Sequence, residues 1–266
     1  MQEPRPLAVV TGASSGIGLE LAKQFAANDF DLVICAEDEA VAEAARRLRD
    51  LGANVEDVRA DLATEAGVEL LHSRIVAAGR PVDAIALNAG IGAGGAFATG
   101  TDLEQELKVI DLNVRGTTHL AKLVIRDMVA RDHGRVLFTS SIGAAIPGAF
   151  HAVYNASKSF VQALAVALRE ELKDTAVTVT LLMPGPTETE FFERAGMLDT
   201  PVGQSDKKDD PADVARDGFE ALMAGKERVD SASLATKLQA RSSRFLPDRA
   251  KALMHRGMAE PESGKE

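Results

Sequence analysis

From residue 7 to about residue 185 the sequence alternates short runs of apolar, often β-branched residues with longer helix-like stretches, and this alternation limits the fold more than any other feature. Strands buried on both faces read as near-continuous apolar runs, and an intervening helix is the connection a parallel sheet requires. The pattern specifies an α/β chain: a doubly wound, mostly parallel sheet of about seven strands with helices on both faces. Six strands are predicted, over 7–11, 31–36, 54–61, 82–88, 135–140 and 177–183, the last ended by Pro184-Gly185-Pro186, which cannot continue a ladder. Helices are predicted over 16–28, up to residue 51, and over 65–79, 102–131 and 152–173, with right-handed crossovers. Beyond Pro186 the regularity fails: 187–210 is polar apart from Phe191 and Phe192 and reads as a mobile covering loop before Pro211 starts another helix.

Composition narrows the function. The 266 residues are 45% hydrophobic and 26% charged, the balance of a globular protein. A formal charge of −10 argues against nucleic acid and anionic lipid as partners. Aromatic residues are 4%, with no Trp and one Tyr, Tyr154, too few for base-stacking platforms. One cysteine, Cys35, excludes an internal disulfide framework and a Cys-based zinc cluster, and the histidines show no ligand spacing, so no metal is implied and a cytoplasmic location is expected. The N-terminal apolar segment stops at Gly12, too short for a signal peptide, and no apolar run approaches the ~18 residues of a membrane span. Residues 226–258 carry a local net charge of +5 and read as short amphipathic helices, a basic C-terminal extension (231–266) packing on the acidic body or on a second subunit.

Thr11-Gly12-Ala13-Ser14-Ser15-Gly16-Ile17-Gly18 falls between a predicted strand and a predicted helix. Glycines there let the backbone turn sharply and approach a pyrophosphate, while the helix presents unpaired N–H groups and its positive dipole end to the anion. Further on, Tyr154 and Lys158 stand four residues apart in a helical stretch and so share a face. A tyrosine acting as a base near neutrality needs its pKa depressed by ~3 units, or ~4 kcal/mol. An ammonium ~4 Å away supplies about that much at an effective dielectric of ~20.

The spacing G-x-x-x-G-x-G, with Asn88-Ala89-Gly90, Asn113-Val114-x-Gly116, Ser141, Tyr154, Lys158 and Pro184-Gly185 in order over roughly residues 5–190, resembles the short-chain dehydrogenase/reductase family. Leu87 stands where the common N-N-A-G form has its first asparagine. The resemblance implies a Rossmann-type fold, with residues 1–230 as one dinucleotide-binding catalytic domain, and hydride transfer between nicotinamide and a carbonyl or alcohol carbon. It implies Tyr154 as general acid/base and Ser141, rather than Ser140, polarising the substrate oxygen. Lys158 then grips the nicotinamide ribose, and Asn113 completes a tetrad through a water held on its backbone carbonyl. The cofactor-binding set it implies is Gly12, Ser14, Ser15, Gly16, Ile17, Gly18, Ala36, Glu37, Asp61, Leu62, Asn88, Ala89, Gly90, Tyr154, Lys158, Pro184, Gly185, Thr187 and Thr189. Asp61 also reads as a helix N-cap. Family members are commonly dimers or tetramers through the helices at 102–131 and 152–173.

At the ribose-discriminating position Ala36-Glu37 offers neither the acid usual for NAD nor the arginine usual for NADP. Glu37 facing a 2′-phosphate costs on the order of 1–2 kcal/mol, which favours NAD over NADP. Apolar loops around Ile91, Phe150 and His151, with Phe191 and Phe192 above, point to an apolar alcohol or ketone. A non-catalytic dinucleotide-sensing protein on the same fold is the alternative, disfavoured by the intact Asn113, Ser141, Tyr154 and Lys158.

Overall fold

The computed structural model describes residues 5–231 and 246–264. Seven parallel strands form one sheet in the order β3-β2-β1-β4-β5-β6-β7: β1 Leu7–Thr11, β2 Asp31–Ala36, β3 Val55–Arg59, β4 Ala84–Leu87, β5 Gly134–Thr139, β6 Val177–Pro184 and β7 Arg228–Ser231. The apolar runs divide by parity, as a pleat requires. Leu7 and Val9 of β1 enter one core with α3 (Glu65–Ala77), α5 (Thr117–Ala130) and α6 (Ala152–Glu171). Ala8 and Val10 enter the other with α1 (Gly16–Ala27), α2 (Ala40–Asp50) and α8 (Pro211–Met223). Among the described residues no helix is long and apolar enough to cross a membrane.

From β1 the chain winds outward to β2 and β3, then returns to β4 on the other side and continues to β7. The switch between β1 and β4 opens a crevice at their carboxyl ends, the position where open parallel sheets bind ligands.

Two elements depart from the sequence reading. The helix predicted over 102–131 is three pieces: α4 (Leu103–Ile110), a π-helical turn Asp111–Gly116, and α5. Gly116 lies against the backbone of Leu62, where a Cβ would stand 2.0 Å from the Leu62 carbonyl oxygen. The segment 187–210 includes a short helix, α7 (Phe191–Arg194), and folds back on itself through Glu188 N–H to Asp209 O (2.9 Å) and Asp209 N–H to Pro186 O (2.8 Å). Of the basic stretch 226–258, residues 228–231 are the edge strand β7 and 248–259 are helix α9 (Asp248–Ala259), while 232–245 lie outside the described residues.

Candidate active site

The first wall of the site is built where β1 and β4 end. Thr11 Oγ1 accepts from the Asn88 and Ala89 N–H groups (2.9 and 3.0 Å), and Asn88 Nδ2 donates to Thr11 O (3.2 Å), which locks the two strand ends together. Gly18 sits so close beneath the turn that a Cβ would fall 1.9 Å from the Gly12 carbonyl oxygen. Ser15, the N-cap of α1, makes no side-chain cap bond. The first-turn N–H groups are therefore left without a side-chain cap, an arrangement that suits an anion.

The second wall comes from β5 and α6. Strand alternation separates the adjacent serines: Ser140 is buried and donates to Lys158 O (2.8 Å), so it fixes α6, while Ser141 Oγ accepts from Gly143 N–H (3.1 Å) and lines the cavity together with Tyr154. Lys158 Nζ donates to Thr139 O (3.0 Å) and lies 5.9 Å from the centre of the Tyr154 ring. Gly90 makes room for that ammonium, since a Cβ there would meet Nζ at 2.9 Å. Asn113, carried on the π-helical turn and 1% exposed, grips the neighbouring loop with its side chain: Oδ1 accepts from Ile91 N–H (3.0 Å), and Nδ2 donates to Ile91 O and Ser157 Oγ, both at 2.9 Å.

Charge in this wall is governed by burial. The Tyr154 phenol is pushed up to about 12 by desolvation, with the Ser141 hydrogen bond pulling downward. This is opposite to the depression expected from Lys158, and the reason is that the same burial drives the lysine down to about 8 and its ammonium is committed to Thr139. His151 stacks on Tyr154 (centroids 4.3 Å apart, planes 16° apart), and burial holds its imidazole down to about 3, neutral at any ordinary pH.

One cavity of about 540 Å³ joins the two walls. It takes in every cofactor-binding residue expected from the sequence, together with Ser141, Ile91, His151, Phe191 and Phe192. Asn113 stands behind the lining rather than in it. Phe150, expected on the substrate wall, does not line the cavity: its backbone is left-handed (φ 63°) and its side chain packs against the small cluster of Phe192, Ala195, Met197 and Ala259, with the Arg256 guanidinium over its ring. Thr64, not Asp61, caps α3, accepting from Gly67 N–H at 3.0 Å, which leaves Asp61 on the cavity wall.

A model of the short chain dehydrogenase family matches residues 6–197. The chain belongs to the short-chain dehydrogenase/reductase family. It is 38% identical over 194 residues to a granaticin polyketide synthase putative ketoacyl reductase of Streptomyces violaceoruber, covering 71% of each chain. A Burkholderia phymatum short-chain dehydrogenase in complex with NAD superposes with a TM-score of 0.80 at 26% identity, covering 91% of this chain and 94% of that one. A Sphingobium yanoikuyae enzyme in complex with NADPH gives 0.79 at 27% identity, covering 94% and 95%. This short-chain dehydrogenase is an NAD(P)-dependent oxidoreductase, and its residues fit the dinucleotide: the Cβ-free cradle of the Gly-rich turn is matched by a buried Thr139 Oγ1 that no protein group bonds.

In this dehydrogenase Glu37 does not point freely at the ribose site, because Lys108 Nζ holds it at 3.0 Å. Repulsion of a 2′-phosphate by that carboxylate is correspondingly reduced. The wall that sequence reading missed is α9. Met254, His255 and Met258 line the cavity, the helix being fixed by His255 Nδ1 to Ala149 O (2.9 Å) and by Val202 N–H to Met258 O (3.1 Å). Its only sequence signal is the amphipathic run from Leu246 to Met254, which indicates a packed helix but not its partner.

Proposed function

We propose that this short-chain dehydrogenase interconverts a carbonyl and the corresponding alcohol on an apolar small molecule, with Tyr154 as the general acid/base. The observation that carries the reading is that Ser141, Tyr154 and Lys158 line the same cavity as the Gly-rich turn. Ser141 orients the substrate oxygen, and Tyr154 gives it a proton in reduction or removes one in oxidation. When bound, the nicotinamide supplies or accepts the hydride. Lys158 keeps a positive or readily protonated amine beneath the phenol, and Asn113 positions the 89–91 loop against it. Ile91, Ile142, Ile146, Phe191, Phe192 and Met254 on the lining support an apolar substrate, and the ketoacyl reductase relative makes 3-oxoacyl compounds the first class to test.

Tyr154→Phe removes only the proton donor. Turnover of any ketone the parent reduces should fall by about a thousandfold or more with dinucleotide affinity nearly intact; retained turnover would reject the role. The α4 and α6 surface, where Leu103, Leu107, Ile110 and Phe160 are exposed, supports a second copy of the chain as partner. Light scattering should give a dimer or larger for the native chain and a smaller species for Leu107→Glu, and a monomeric native chain would dismiss this partner.

A further inference from the structure

Around the Gly-rich turn the cavity wall is acidic, with Glu37, Asp38, Asp61 and Glu190 on it, although a dinucleotide brings a doubly charged pyrophosphate to that place. The cation of the wall that reaches the turn's own partners is Arg194, at the end of α7 on the covering segment. Its guanidinium lies 2.6 Å from Glu190 and 3.7 Å from Asp38. Those two carboxylates accept from Ser15 and Ser14 hydroxyls of the turn, at 3.3 and 3.0 Å. The segment itself rests on the turn: a Cβ added to Gly16 would meet Thr189 Cγ2 at 2.9 Å.

We infer that Arg194 is the cation that closes over the dinucleotide pyrophosphate, opposite the N-terminus of α1. The inference rests on the NAD(P)-binding reading of this cavity. Arg194 is 49% exposed, so its pairs with Glu190 and Asp38 are weak and exchange readily for phosphate oxygens. A planar guanidinium also matches a phosphate with two parallel N–H donors, which the α1 backbone alone does not supply as a full charge. Phe191 and Phe192 belong to the same short helix. A contact of Arg194 with the phosphate therefore also fixes the helix that carries part of the substrate wall.

The test is equilibrium titration of NADH and NADPH by nicotinamide fluorescence, with ADP titrated by calorimetry, on the full native chain, Arg194→Gln and Arg194→Lys. Arg194→Gln should weaken NADH, NADPH and ADP alike by about tenfold or more, as expected for a lost charge-assisted phosphate contact, and Arg194→Lys should restore part of that loss. Superimposable unfolding curves establish that the variants keep the fold. An unchanged Kd overturns the inference, as does a loss confined to NADPH, which assigns Arg194 to the 2′-phosphate. If the native chain binds neither dinucleotide, the reading of the cavity itself fails.

Discussion

At the scale of single residues, the chain holds one phenol, and it stands in the site. Its ultraviolet ionisation therefore reports Tyr154 with no background. The free protein should titrate near 12, above the ordinary value of 10, because desolvation of the phenolate outweighs the Ser141 hydrogen bond. Oxidised dinucleotide brings a positive ring next to the phenol and should move the midpoint down; a midpoint that stays near 12 in the complex would remove Tyr154 as the base. The pairing of Tyr154 with Lys158 was legible because helical spacing puts positions i and i+4 on one face. The direction of the phenol's shift was not, because it depends on how many atoms surround the hydroxyl and on where the Lys158 ammonium is committed. Ser140 and Ser141 show the same division: alternation sends them to opposite faces, and only packing decides that Ser140 fixes α6.

At the scale of elements, the strand-turn-helix unit of β1 and α1 was legible almost to the residue, since apolar pattern, glycine spacing and helix start coincide there. Gly18→Ala should prevent that unit from forming as it stands. The added Cβ overlaps the Gly12 carbonyl, a fixed backbone atom, so destabilisation of about 2–4 kcal/mol is expected, with dinucleotide affinity lost in the folded fraction. Thermal unfolding and titration check this, and native affinity at native stability would contradict the close approach. Strand β7 escaped sequence reading because Arg-Val-Asp-Ser is short and polar, as an edge strand is when only one neighbour pairs with it. The π-helical turn carrying Asn113 was equally silent, because the periodicity of the flanking segments runs through it unbroken, and the close approach of Gly116 to Leu62 at its end is a tertiary contact.

For the whole molecule, the buried Lys158 ties stability to pH. Its amine titrates near 8 in the folded chain against 10.5 ordinarily, so between those values the unfolded chain holds a proton that the folded chain has released, and stability rises with pH across that window. Below pH 8 the buried cation costs on the order of 3 kcal/mol. Lys158→Met removes that cost and gives up the bond to Thr139 O, about 1 kcal/mol. Its stability advantage should be present at pH 7 and gone by pH 10.5, and urea unfolding at pH 7 and pH 10 reads the difference; an equal gap at both values contradicts the burial of the cation. The amino-acid sequence alone determined the α/β class, the Gly-rich turn and the shared helix face of Tyr154 and Lys158, because these follow from local periodicity and from spacing along one strand or helix. Tertiary structure alone decided that α9 closes the cavity, that Phe150 turns away from it, that Lys108 pairs with Glu37 and that Arg194 reaches the carboxylates bonded to the serines of the Gly-rich turn. Each of these is a contact between segments distant in the chain, and its partner is fixed by how the two cores stack the helices on the sheet.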